Sequence, residues 1–200
     1  MTIAGLLPIL NFRMWKKYVS SVWVWRLVPI GVLLAIRLVK EYQAGYLGVL
    51  WPGNLWLLAG WTVGWFLADA DHLFYATMCN PQELTCQRVR AEIGNKNWRN
   101  AWGILKQTEN ERTRLPIRNI LTGFVMTGVG LWLISSGASL LAAGTTFGFS
   151  VRLFSEVLFD IDYQKWYWLF AKKFELSEHQ GLLLAWGAVL IWQWSMLARG

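Results

Sequence analysis

The chain has 200 residues, of which 55% are apolar and only 16% carry a formal charge. A soluble domain of this length carries charge on about a quarter of its residues, so the composition argues against an ordinary soluble protein and predicts a single integral membrane domain spanning residues 1–200. The net charge of +7 is spread between apolar runs rather than gathered in one basic tract, which argues against nucleic acid as a partner.

Five apolar segments approach the length of about 20 residues that a helix needs to cross a bilayer. They are, in chain order, 20–39, 46–68, 117–135, 138–159 and 181–198. Ser136 and Gly137 form a turn signal between the third and fourth segments, so we expect these two to pack as an antiparallel hairpin. Small residues in both segments would allow close approach of the helices: Gly128, Gly130, Ala142, Ala143, Gly144 and Gly148. The sequence therefore predicts an all-α, polytopic helical bundle with about five transmembrane helices.

Two segments that mix aromatic and basic residues, 11–20 and 163–174, are typical of interfacial helices, and the same pattern fits amphipathic connectors packed on the bundle. The one long polar stretch, 79–116, predicts a helical insertion with one helix that starts after Asn80 and ends near Gly94, and a second helix over 97–107. The spacing of Cys79 and Cys86 does not fit a zinc knuckle, so we interpret them as inert thiols.

The distribution of Lys and Arg predicts the orientation in the membrane. Basic residues precede the first span, and seven of them lie in 79–116, whereas the loop between the third and fourth spans has none. Because cytoplasmic loops carry the excess of Lys and Arg, we predict a cytoplasmic N-terminus, a cytoplasmic 79–116 insertion and an external C-terminus. Arg26 and Arg37 lie near the ends of the first span, where their side chains are expected to snorkel towards water.

Asp69-Ala70-Asp71-His72 is the most informative stretch, because it places three ionisable groups directly after an apolar segment. Such groups at the edge of a membrane need water, a metal ion or opposite charges close by. Asp69 and His72 are three residues apart and share a helix face. Asp71 joins that face only if the helix ends or distorts there.

The predicted topology brings further charges to the same depth. Arg118 opens the third span, and Arg152 and Glu156 lie in the inner half of the fourth. Arg152 and Glu156 are four residues apart and therefore share a helix face. We expect these groups to meet the acidic stretch on the cytoplasmic side.

The acid-x-acid-His pattern after an apolar helix resembles the motif of bacterial membrane-bound metal-dependent hydrolase-like proteins, with looser similarity from about residue 60 to 162. The resemblance implies a bacterial inner or internal membrane, and a divalent metal that activates water for hydrolysis at the cytoplasmic face. It implies four metal ligands in this chain: Asp69, Asp71, His72 and Glu156.

This chain departs from the family pattern at two positions. The family has a histidine where this chain has Arg118, followed by Asn119, and a second histidine where it has Arg152. Arginine is always cationic and offers no lone pair to a metal. We therefore expect no cofactor, and a charge cluster in place of a metal site: Asp69, Asp71, Arg118, Arg152 and Glu156.

These features favour a non-catalytic structural, accessory or assembly subunit of a larger membrane protein complex, in contact with lipids and other membrane subunits and derived from a metal-hydrolase-like fold. The alternative is an active metal-dependent hydrolase of the cytoplasmic face. A transporter is less well supported, because the sequence has no obvious inverted repeat.

Overall fold

A computed structural model describes residues 23–45, 52–71, 82–108, 117–160 and 162–199. All regular secondary structure in these ranges is helical, which confirms the all-α prediction for this part of the chain. The elements are α1 Trp23–Gln43, α2 Pro52–Leu67, α3 Leu84–Gly94, α4 Trp98–Gln107, α5 Ile120–Ser135, α6 Leu140–Phe159, a 3-10 helix Tyr163–Tyr167, and α7 Leu176–Arg199.

Local sequence signals explain where several helices begin and end. Pro52 occupies the first position of α2, where its missing N–H costs nothing. The side chain of Asn119 caps α5 by accepting a hydrogen bond from the backbone N–H of Thr122 at 2.8 Å. Between α5 and α6 the chain turns at Gly137, whose φ of +66° suits glycine. The two helices pack against each other, as the turn signal predicts.

The most extensive helix contact joins α2 and α6. Each helix presents two glycines four residues apart, Gly60 and Gly64 on α2 and Gly144 and Gly148 on α6. A Cβ atom at Gly64 would lie 1.9 Å from the carbonyl oxygen of Thr145, and one at Gly144 would lie 2.4 Å from that of Leu57. The backbones therefore touch, as in the small-xxx-small pairs of membrane helices.

This contact bears out the close helix approach expected at Gly144 and Gly148, and it identifies the partner helix. Gly144 and Gly148 face α2 and not α5, and a Cβ atom added at Gly128 would meet no described residue of another helix within 4 Å. Gly130 faces Gln193 of α7 and Thr146 of α6. The sequence showed that the helices could approach closely, but not which pair would do so.

Helix α7 packs on α5 through buried hydrogen bonds. The indole N–H of Trp186 donates to the hydroxyl of Thr127 at 2.8 Å, and the amide of Gln193 donates to the Thr127 carbonyl at 2.6 Å. The ring of Trp186 lies over Gly123, where a Cβ would meet it at 2.2 Å. Trp186 and Gln193 are both fully buried.

Arg37 does not snorkel to water, contrary to the prediction. Only 6% of it is exposed, and its guanidinium donates to the side chain of Asn54 at 2.8 Å and to the carbonyl of Leu197 at 2.6 Å. Lys40 donates to the carbonyl of Ala198. Both cations thus bind the C-terminal carbonyls of α7, where the helix dipole favours positive charge. The side chain of Arg26 lies outside the described residues.

The interfacial helix predicted over 163–174 is wrong, and the alternative of a connector packed on the bundle fits the structure. Only Tyr163–Tyr167 is helical, as a 3-10 turn, and Trp166 and Tyr167 are buried against the bundle. The Tyr167 hydroxyl shares a hydrogen bond with Nδ1 of His179 at 2.8 Å, and burial raises the pKa of Tyr167 to about 12. Aromatic packing therefore holds this segment against the core of the bundle. The other predicted interfacial helix, 11–20, lies outside the described residues.

The insertion contains the two predicted helices, which form an α3–α4 hairpin. Helix α3 begins at Leu84, later than the predicted start after Asn80, and the side chain of the preceding Glu83 makes no capping bond. The helix ends at Gly94 as predicted. Cys86 is buried and bonded in a disulfide, so the interpretation of Cys86 as an inert thiol is wrong. Cys79 lies outside the described residues.

Among the described helices, one is long and apolar enough to cross a membrane. This is α7, with 24 residues. Helix α5 is apolar but has only 16 residues. The lengths of the described helices therefore support one membrane span and do not by themselves support five.

Candidate functional site: a ring of ion pairs

Arg152 is the centre of the candidate site. Its Nε donates to Oε1 of Glu156 at 2.7 Å, one turn along α6, and its Nη2 donates to Oδ1 of Asp69 at 2.7 Å, beyond the end of α2. Its Nη1 lies 3.3 Å from the carbonyl oxygen of Trp65, whose indole ring packs 5.0 Å from the guanidinium carbon. Every nitrogen of this guanidinium therefore has an acceptor, and one face of the group rests on an aromatic ring.

Arg118, next to the start of α5, pairs with the same two carboxylates that Arg152 binds. Its Nη2 lies 3.3 Å from Oδ1 of Asp69, and its Nε lies 3.3 Å from Oε2 of Glu156. Each arginine thus bridges the same two carboxylates, and each carboxylate is bridged by both arginines. We call Asp69, Arg118, Arg152 and Glu156 the ion-pair ring.

The ion-pair ring is formally neutral and largely removed from solvent. The exposed fractions of its side chains are 8% for Arg118, 10% for Arg152, 17% for Glu156 and 23% for Asp69. Ion pairs at this depth are only partly screened by water, so losing one member leaves a poorly solvated charge behind.

Asp71 does not join the guanidinium groups, contrary to the prediction. Helix α2 ends at Leu67, and the following turn directs the fully buried Asp71 carboxylate to the start of α5. Its two oxygens accept the backbone N–H groups of Ile117 and Arg118, each at 2.7 Å. Burial raises the pKa of Asp71, and the two N–H donors together with the positive charge of Arg118 oppose that rise. Asp71 thus ties the end of α2 to the start of α5.

The glycine contact between α2 and α6 sets the geometry of the ring. Because Gly64 lies against the backbone of α6, the end of α2 comes within hydrogen-bonding reach of Arg152. Trp65 contributes both its carbonyl and its ring to Arg152, although it is not among the predicted site residues. Its position four residues before Asp69, which would share a helix face with it if the helix continued, was the available signal.

The described side chains at this site do not fit a bound divalent metal. Asp69 and Glu156 are both engaged by two fixed cations, and Asp71 is directed to backbone donors. Across the described ranges, no group of three or more His, Cys, Asp and Glu side chains is arranged to hold a metal ion. His72, the remaining ligand implied by the family resemblance, lies outside these ranges.

Comparisons with protein-family models, curated proteins and solved structures find no match to this chain. The resemblance to metal-dependent hydrolase-like proteins therefore rests on the short motif alone.

Proposed function

We propose that this chain is a non-catalytic structural, accessory or assembly subunit of a larger membrane protein complex, derived from a metal-hydrolase-like fold. The observation that carries the proposal is the ion-pair ring. Two guanidinium groups supply the positive charge that a metal would otherwise supply, and they hold three helices together rather than leaving a reactive centre open. A hydrolytic metal needs carboxylate ligands and an open coordination position, whereas Asp69 and Glu156 are each paired with both arginines.

We further propose that the bundle lies in the membrane with five spans. Large apolar side chains point outwards around the bundle while polar groups such as Gln193 and Arg152 lie inside. The outward set includes Trp56, Val63 and Phe66 of α2, Val125 and Trp132 of α5, and Leu184, Ile191 and Trp192 of α7, all between 54% and 76% exposed. Apolar surface on this scale requires lipid or protein to cover it.

Native-size analysis in a mild detergent tests the subunit proposal. We expect the protein extracted from its own membrane to migrate well above the size of a 23.0 kDa monomer in its micelle, together with other polypeptides. A chain that is extracted as a stable lone monomer under conditions that preserve other complexes would contradict the proposal.

Metal analysis separates this function from the hydrolase alternative. We expect the purified protein to carry no stoichiometric divalent metal, and chelators to leave its thermal stability unchanged.

The double substitution Arg118→His/Arg152→His removes both cations and supplies two neutral ligands beside Asp69 and Glu156. We expect that variant to retain zinc or manganese through purification. Stoichiometric metal in the unsubstituted protein would contradict the proposal and favour the hydrolase alternative, and failure of the variant to bind would argue against descent from a metal site.

The redox state of Cys86 tests the predicted orientation. If the 79–116 insertion is cytoplasmic, the Cys86 disulfide should be reduced in the cell and form only after exposure to air. Alkylation of acid-quenched cells with a mass-shifting maleimide should then label both cysteines without added reductant. A disulfide that persists in the cell would place the insertion in an oxidising compartment and invert the predicted topology.

A further inference from the structure

The α3–α4 hairpin is a small helical unit with its own apolar core. Val89 and Leu105 are buried at its centre, and Ile93 and Ile104 pack against them. Its main contacts are between its own two helices. Because this core is satisfied within the hairpin, the apolar residues on its outer surface are not needed to hold the two helices together.

Two large aromatic residues nevertheless lie on the outside of α4. Trp98 is 62% exposed and Trp102 is 41% exposed. They are four residues apart, so they lie on one face of the helix, next to the buried face that contains Ala101 and Leu105. Indole rings combine an apolar body with an N–H donor, and for this reason they concentrate at the headgroup level of membranes.

The charges of the hairpin favour an anionic surface. Residues 82–108 contain five basic and two acidic residues: Arg88, Arg90, Lys96, Arg99 and Lys106 against Glu83 and Glu92. Arg99 is exposed and follows Trp98 directly. Exposed aromatic rings flanked by arginine and lysine are typical of helices that lie in the headgroup layer of anionic membranes.

The hairpin is also held close to one end of the bundle. Thr108 is nine residues before Ile117, which Asp71 fixes beside the ion-pair ring. Even a fully extended chain, at about 3.5 Å per residue, keeps the hairpin within about 30 Å of this end. If the bundle is embedded in a membrane, as we propose above, the hairpin meets the adjacent leaflet at high effective concentration.

We propose that the α3–α4 hairpin binds the anionic headgroups of the adjacent leaflet, with Trp98 and Trp102 inserted at the headgroup level and Arg99 paired with lipid phosphate. The proposal rests on the membrane location of the bundle. It adds a lipid-binding surface that the ion-pair ring and the transmembrane helices do not require.

Hydrogen exchange of the full-length protein in lipid nanodiscs tests this inference. We compare nanodiscs of phosphatidylcholine alone with nanodiscs of equal parts phosphatidylcholine and phosphatidylglycerol. We expect amides of α4 to exchange at least about fivefold more slowly in the anionic nanodiscs, and the difference to shrink in high salt. The variants Trp98→Ser and Trp98→Ser/Trp102→Ser should lose this protection, whereas Lys172→Ser/Lys173→Ser, which removes two exposed charges elsewhere, should keep it.

Each other outcome overturns the inference in a distinguishable way. Equal exchange of α4 in both lipids shows that the hairpin does not bind anionic lipid. Protection in anionic nanodiscs that survives the double tryptophan substitution shows that Trp98 and Trp102 do not insert at the headgroups, which overturns the proposed mode of binding. Protection in native membranes but not in either nanodisc points to a protein partner instead. Rapid exchange throughout α5 and α7 in nanodiscs contradicts the membrane location itself, and with it the proposed function.

Discussion

Gly64→Ala is expected to disrupt the bundle. The added Cβ atom would lie 1.9 Å from the carbonyl oxygen of Thr145 and 2.8 Å from its carbonyl carbon, so it would meet backbone rather than a movable side chain. Helices α2 and α6 must then separate, which removes close packing along their whole contact. Overpacking typically costs about 1–3 kcal/mol and occasionally more, and we expect the upper end of that range here because backbone cannot yield.

The separation should also weaken the ion-pair ring, because the 2.7 Å bond between Arg152 and Asp69 joins the same two helices. The measurement is the temperature at which the detergent-solubilised protein loses its monodisperse size-exclusion peak. Gly128→Ala is the matched control, since it makes the same substitution in an apolar helix where no described residue of another helix lies within 4 Å. Alanine favours helix over glycine by about 1 kcal/mol, so the control should be neutral or slightly stabilised. Equal behaviour of the two variants would show that the α2–α6 backbone contact is not present.

Arg152→Ala is expected to lower the free energy of unfolding by roughly 3–5 kcal/mol, because it leaves Asp69 and Glu156 without their closest cation. Arg118 remains, but its contacts to both carboxylates are longer, at 3.3 Å. Since Asp69 is 23% exposed, water should compensate part of the loss and hold the effect near the lower end of that range. Unfolding temperature in detergent and steady-state abundance in the cell are the measurements.

Two further variants separate the ring from a general effect of removing charge. Lys172→Ala removes an exposed cation that pairs with Glu178 on the surface, and it should not change stability measurably. Glu156→Ala should cost less in the Arg152→Ala background than in the unsubstituted protein, because the two groups are bonded directly. Additive effects of these two substitutions would mean that the ring does not act as a unit.

Much of the local structure followed from the sequence. The turn at Gly137, the helix end at Gly94 and the convergence of Asp69, Arg118, Arg152 and Glu156 were all predicted, and the structure places these features accordingly. These predictions succeeded because each depends on short-range chemistry. Glycine suits a positive φ, four-residue spacing fixes a helix face, and buried charges require partners.

Other features depended on how the helices are arranged. The partner of Gly144 and Gly148, the burial of Arg37 against the end of α7 and the turn of Asp71 towards the start of α5 could not be read from spacing. In each case a residue had several chemically acceptable partners. A cationic side chain, for example, is stabilised equally by water at an interface or by the carbonyls of a helix end.

The sequence by itself determined the helical class, the apolar character of the chain and the set of charges that had to be neutralised together. Only the tertiary structure decided that two arginines share two carboxylates while Asp71 binds backbone N–H groups. The physical reason is that composition and periodicity fix what each segment must bury. The choice among equivalent partners is made by which backbones can come closest, and here that is decided by the glycines of α2 and α6.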